Sequence, residues 1–192
     1  MKKLLLFACA CVFLSGCIGK TTSAPTYHEL MLPLKEEQCL SNKRLGIATL
    51  SALGRAQRSE IAYVNHDGVV GYYQSHKWAQ SPHLMLQKLL VKAFSNACLE
   101  VILPPFSGVK MDALLQGKLL ALEVQLLDRE SVAHVEMAFT LREGQKAHSW
   151  VIAHKEPIEK LEIPAIMSAL NRATEEVIRE LKARMREVLE AN

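Results

Sequence analysis

Leu120 to Arg142 reads LALEVQLLDRESVAHVEMAFTLR. Leu120, Leu122, Val124 and Leu126 alternate with Ala121, Glu123 and Gln125. Beyond Asp128 to Ser131, Val135, Met137, Phe139 and Leu141 alternate with Glu136, Ala138, Thr140 and Arg142. A period of two sends successive side chains to opposite faces of a strand, so the stretch predicts two half-buried strands joined by a turn. Gly144 marks the next turn, and His148 to His154 reads as a further strand.

Outward from this stretch the period changes. After Pro164, apolar residues fall at Ile166, Met167, Leu170, Val177, Leu181 and Val188 with charge between them, which predicts one long helix running to near the terminus. Upstream, Leu45 to Leu50 and Ile61 to Val64 read as short strands separated by a polar loop, Gly54 to Ser59. Asn65-His66-Asp67-Gly68 has turn chemistry and Val69 to Ser75 the look of a return strand. Ser81-Pro82 suits a helix start, because serine caps free amides and proline fits the first helical position. Leu86, Leu89, Leu90, Ala93, Phe94 and Ala97 follow at helical spacing, and Leu99 to Leu103 is a strand stopped by Pro104-Pro105. The expected class is α+β: a mostly antiparallel sheet with one inserted helix and a long C-terminal helix packed on one face.

From Pro164 to Asn192 that helix would be 29 residues, or ~43 Å at 1.5 Å per residue. A typical strand spans ~20 Å, so the far end is expected to overhang the sheet. Leu181, Met185, Val188 and Leu189 are then candidates for a protein interface, with a partner or a second copy of the chain; the alternative is that the last turns fray in solvent.

The chain opens with Lys2 and Lys3, an apolar run from Leu4 to Leu14, and small residues before a cysteine. This is the layout of a secretory signal peptide, too short for the roughly 20 apolar residues that a bilayer span needs. Leu14-Ser15-Gly16-Cys17 resembles the bacterial lipobox, which implies cleavage before Cys17, diacylglycerol on its thiol and acylation, such as palmitate, at the new amino terminus. Three units are expected: a signal peptide at 1–16, a lipidated tether at 17–26 and a single periplasmic domain at 27–192. Ile18, not aspartate, follows the cysteine, which favours the outer membrane under the enteric sorting rule and leaves the inner membrane open.

The full chain carries a formal net charge of +3, and loss of Lys2 and Lys3 leaves +1. No basic stripe with interleaved aromatics is present, which argues against a nucleic-acid partner. Cys9 and Cys11 leave with the signal peptide and Cys17 takes lipid, so Cys39 and Cys98 remain as a candidate disulfide in an oxidising compartment, or as two separate buried thiols.

Gly19-Lys20-Thr21 imitates the end of a phosphate-binding loop, but Leu14 stands where that motif needs glycine. No histidine pair has metal spacing and no nucleophile elbow occurs. Glu156, Glu159 and Glu162 fit a solvated face near a helix start. The expectation is a chain without catalytic residues, metal or cofactor.

Ile61-Ala62-Tyr63, Tyr72-Tyr73 and Trp78-Ala79-Gln80-Ser81-Pro82 leading to Leu86, Leu89 and Leu90 resemble the ABC-type transport auxiliary lipoproteins, associated with MCE lipid-transport systems. The motif residues carried over are Tyr63, Trp78, Ala79 and Pro82; Val64 stands where members often have a basic residue. Trp78 and Pro82 could mark the fold or contact a partner. The resemblance implies a lipid-anchored, non-enzymatic component that docks an MCE protein during transport of phospholipid or other hydrophobic molecules. The other reading is an envelope-assembly or structural lipoprotein that contacts a secretion, motility or outer-membrane complex.

Overall fold

The structure, a computed structural model, describes residues 24–33 and 39–190. Leu14, Ser15, Gly16 and Cys17, with the expected cleavage and lipidation, lie outside the described residues. Among the described residues there are nine strands and two α-helices: β1 (Thr26–His28), β2 (Arg44–Ile47), β3 (Ser51–Ala52), β4 (Glu60–Asn65), β5 (Val70–Trp78), α1 (Pro82–Asn96), β6 (Glu100–Ile102), β7 (Ala113–Leu126), β8 (Ser131–Glu143), β9 (Lys146–Pro157) and α2 (Ile163–Glu190). A 3-10 turn, Gly54–Gln57, interrupts the path between β3 and β4. The first strand begins at Thr26, the last residue of the expected tether.

β7 is the spine of the sheet. One side pairs antiparallel with β8 along its whole length, from Leu114 opposite Arg142 to Leu126 opposite Ser131, and β8 pairs in turn with β9. The other side takes β2, β3 and β4 in succession, all parallel to it. Beyond them, β6 lies parallel on β2, while β5 pairs antiparallel with β4 and β1 runs parallel on β5. The class is therefore α+β with a mixed sheet: the long hairpins are antiparallel and the short strands parallel.

A bulge shifts the register between Leu119 and Ala121. Leu115 and Leu119 face the core before it, and Leu122 and Val124 after it. One extra residue changes the phase by one, so Leu120 leaves the row in which strict alternation places it. Gly117 sits on the core side of β7, where a Cβ would press on Leu50 and approach Phe139. Gly144 turns β8 into β9 at φ +58°, a left-handed value that suits glycine.

Both helices cover the same face. α1 brings Met85, Leu86, Leu89, Leu90 and Phe94 to the core, and α2 brings Ile166, Leu170, Ala173, Val177 and Ile178. Pro164 in the first turn suits α2 because the amide it lacks has no partner within the helix there. The overhang expected of this helix is corrected: Leu181, Met185 and Leu189 are buried in the core and Val188 packs against it. The reason is strand length. α2 packs on β8 and β9, which have 13 and 12 residues, about 43 and 40 Å at 3.3 Å each, against about 42 Å for the 28 residues of α2, so sheet lies under nearly the whole helix. Lys43 ties the end down, donating from Nζ to the Leu189 carbonyl at 2.9 Å and to Glu143 at 2.8 Å.

Cys39 and Cys98 form a disulfide across 59 positions, with Cα atoms 5.0 Å apart. Beside it, the Leu40 amide donates to the Ala97 carbonyl. The bridge fastens the approach to β2 to the end of α1.

Candidate docking surface and buried carboxylate

The motif residues divide by role. Trp78 is buried, its amide donating to the Ser59 carbonyl at 2.6 Å, and Pro82 is buried as the first residue of α1. Ser81 precedes that helix without a side-chain cap; its carbonyl instead accepts from the Leu84 and Met85 amides. Ala79 is exposed, and its amide donates to the His28 carbonyl, which holds β1 at the sheet edge. Tyr63 packs edge-on against Tyr73 with ring centroids 5.3 Å apart, over Gly71, where a Cβ would strike its ring. Burial raises the Tyr73 hydroxyl above its ordinary value, and Tyr63 adds to the shift. Trp78 and Pro82 thus serve the fold: they anchor the crossing from β5 into α1.

The sheet face away from the helices carries a cluster that sequence reading missed. Glu123 is 0 % exposed. Arg55, from the 3-10 turn, donates through Nε to one carboxylate oxygen and through a terminal nitrogen to the other, the second at 2.8 Å. Gln125 donates to Glu123 at 3.4 Å and pairs with His134 Nδ1 at 3.0 Å. Burial pushes the Glu123 carboxyl up, but the hydrogen bonds from Arg55, the neighbouring His134, the Arg55 charge and the Gln125 contact outweigh it and hold the group at about 2. An anion with both oxygens occupied and so weak a basicity is a poor proton acceptor. Its role is to pin the 3-10 turn onto the sheet. Arg58 lies over the Tyr72 ring at 4.6 Å and extends the polar cover.

Beyond this cover the face is open. Thr140 and Ser149 meet there at 3.0 Å, and Ala147, Val151 and Ala153 are exposed on β9, Val151 at 64 %. On the helix side, His154 bonds Glu180 at 2.9 Å and Arg172 bonds Glu156 at 3.0 Å, so Glu156 is an ion-pair partner of α2. A cleft of about 470 Å³ opens between α1 and α2. Leu32, Leu89, Ala93 and Ile178 contribute apolar walls, and ion pairs such as Arg179–Glu176 line its rim.

Among the described residues no group of three or more His, Cys, Asp or Glu side chains is placed to hold a metal ion. His66 approaches Asp128 at 3.7 Å, and His76 bonds His28 at 3.0 Å. Burial, then the neighbouring His76, lowers the His28 value. Among the described residues no helix is long and apolar enough to cross a membrane.

The fold has solved counterparts. A crystal structure from Xanthomonas campestris superposes with a TM-score of 0.65 at 21% identity, covering 82% of this chain and 90% of that one. An uncharacterized protein matches at 0.66 and 12% identity over 87% and 99% of the two chains. A hypothetical protein from Chlamydia trachomatis reaches 0.54 at 8% identity, over 78% and 99%. At such identities the likeness is one of fold. No curated protein matches the chain. The family model for the ABC-type transport auxiliary lipoprotein component matches residues 33–182, which include the tyrosine pair, the Trp78–Pro82 crossing, Glu123 and most of α2. The chain belongs to the ABC-type transport auxiliary lipoprotein component family.

Proposed function

We propose that this chain is the lipid-anchored auxiliary component of an MCE-type ABC lipid transporter. Cys17 carries the acyl chains and holds the domain at the outer membrane, facing the periplasm. The domain docks and positions the MCE protein while phospholipid or another hydrophobic molecule moves between membranes. Bond chemistry belongs to other chains of the system. The family match over residues 33–182 carries the reading. The lipobox ending at Cys17 supports the anchor. The open face of β8 and β9, with Thr140, Ser149 and Val151, offers a flat surface on which a partner can seat.

Two measurements test this reading. Intact mass of the membrane-extracted chain should give an amino terminus at Cys17 with acyl mass; any other terminus, or no acyl mass, removes the anchor. A photo-crosslinker at Val151 in cells should yield an adduct containing the MCE protein. Adducts containing only secretion or motility components would favour an envelope-assembly role instead.

A further inference from the structure

Three connections project from one end of the sheet: the β4–β5 turn, the β7–β8 turn, and the segment from β9 into α2. Each ends in an exposed aliphatic residue. Val69 is 60 %, Leu127 43 % and Leu161 56 % exposed, and Val70 beside the first is also exposed. The tips are neighbours: His66 on one reaches Asp128 on the next at 3.7 Å, and the Ile158 amide, at the start of the third, donates to the Ser131 carbonyl just past the second. Five strands, β5-β4-β7-β8-β9, lie side by side here, so the row spans about 19 Å at 4.8 Å per strand. None of these aliphatics belongs to the core.

The direction of the chain says which way this end faces. β1 runs parallel to β5, with Thr26 opposite His76 and His28 opposite Trp78. The start of β1 therefore points toward Val70, the tip end, and the strand runs away from it. Thr26 lies six positions from Val70 along β5, about 20 Å at 3.3 Å each. Eight residues, 18–25, separate Cys17 from β1, and the nine steps from Cys17 to Thr26 reach at most about 30 Å. The tether is long enough to bring Cys17 level with the tips or a little past them, and too short to set the domain far from its anchor.

From this placement we infer that Val69, Val70, Leu127 and Leu161 form a second membrane contact, which seats the domain on a neutral, zwitterionic phospholipid surface beside the anchor. It rests on the lipidation of Cys17 proposed above. The headgroup class follows from charge: Asp67, Asp128, Glu130 and Glu159 outnumber Arg129 and Lys160 on the same connections, so an anionic surface would repel them. Aliphatic tips on connections where acids outnumber bases suit shallow burial at the boundary of headgroups and acyl chains. With this end on lipid, the opposite end, with Leu103 and Val109, points into the periplasm.

The test uses the mature lipoprotein with a fluorophore at Val69→Cys, Leu127→Cys or, as a distant control, Val109→Cys. Each is reconstituted in phosphatidylcholine vesicles that contain nitroxide-labelled lipid. The probes at 69 and 127 should lose most of their fluorescence while the probe at 109 keeps it. Tip quenching should weaken when phosphatidylglycerol is added, although the protein still floats with the vesicles. Flotation with unquenched tips overturns the contact and leaves the anchor standing. Tips shielded only after an MCE protein is added would make them a protein-docking site. Stronger quenching on phosphatidylglycerol overturns the choice of a neutral surface. Failure to float removes the anchor and the contact together.

Discussion

Arg55 grips the buried carboxylate of Glu123 with two guanidinium N–H groups from 68 positions away in the chain. The pair fastens the 3-10 turn that separates β3 from β4 and so sets where β4 resumes its parallel path along β7. Arg55 is partly exposed and Glu123 not at all, so the two partners are unequal. Losing the arginine strands a buried charge, whereas losing the carboxylate frees a cation that can reach water.

Arg55→Ala should therefore cost about 2–4 kcal/mol of stability, below the usual range for a fully buried pair because Arg55 is partly solvated. The folded Glu123 value, about 2, lies below the ordinary 4.5, so between these values the native chain binds fewer protons than the unfolded one. The contribution of this group is fully present above about pH 4.5 and is lost as the pH falls toward 2. Urea unfolding of wild type should show stability falling over that window, and Arg55→Ala should flatten the fall. An unchanged acid limb in the variant would mean that Arg55 does not hold the carboxylate down.

The Cys39–Cys98 bridge closes a long loop, 59 positions, and in the chain-entropy model contributes about 4 kcal/mol. Unfolding with and without reductant, or of the double Cys→Ser variant, should show a loss of that order. Alkylation of the unreduced, denatured protein should leave both sulfurs unlabelled.

Truncation after Arg179 should destroy the fold, because it removes Leu181, Met185 and Leu189 from the core. Leu181→Ala alone should cost about 2–5 kcal/mol. Thermal melts read by circular dichroism decide this. A truncated chain that melts like the full one would show that the last three turns of α2 are dispensable.

Gly117→Ala puts a methyl group against Leu50 and Phe139, both buried. Overpacking there should cost about 1–3 kcal/mol, against little change for Gly144→Asn, since asparagine tolerates the left-handed turn. Parallel chemical-denaturation curves give the comparison.

The hairpin of β7 and β8 was legible because a period of two survives wherever one face is buried. α2 was legible because Pro164 and the apolar stripe from Ile166 mark it. The first half of β7 was not. The bulge at Leu120 moves the core row from odd positions, Leu115 and Leu119, to even ones, Leu122 and Val124, so no single alternation spans the strand. The apolar run Leu45 to Leu50 did mark β2, but β3, with two residues, is too short for a pattern, and the partners of both strands are distant in sequence. The same distance hid the polar cluster. A glutamate in a half-buried strand reads as an outward residue, and nothing near Glu123 in the chain announces that Arg55 will cover it. The overhang expected at Leu181, Met185, Val188 and Leu189 failed for a reason of length: a typical strand was the measure, and β8 and β9, which lie under the helix, are about twice that.

The central claim is that this domain docks the MCE component of its transporter. The most direct measurement is binding of the purified, lipid-reconstituted protein to the periplasmic part of that MCE protein, read by biolayer interferometry with the immobilised MCE chain. Saturable binding that survives moderate salt, and that a charge at the open sheet face (Val151→Glu) weakens, is the predicted result. No binding by folded, disulfide-bonded, acylated protein would contradict the claim.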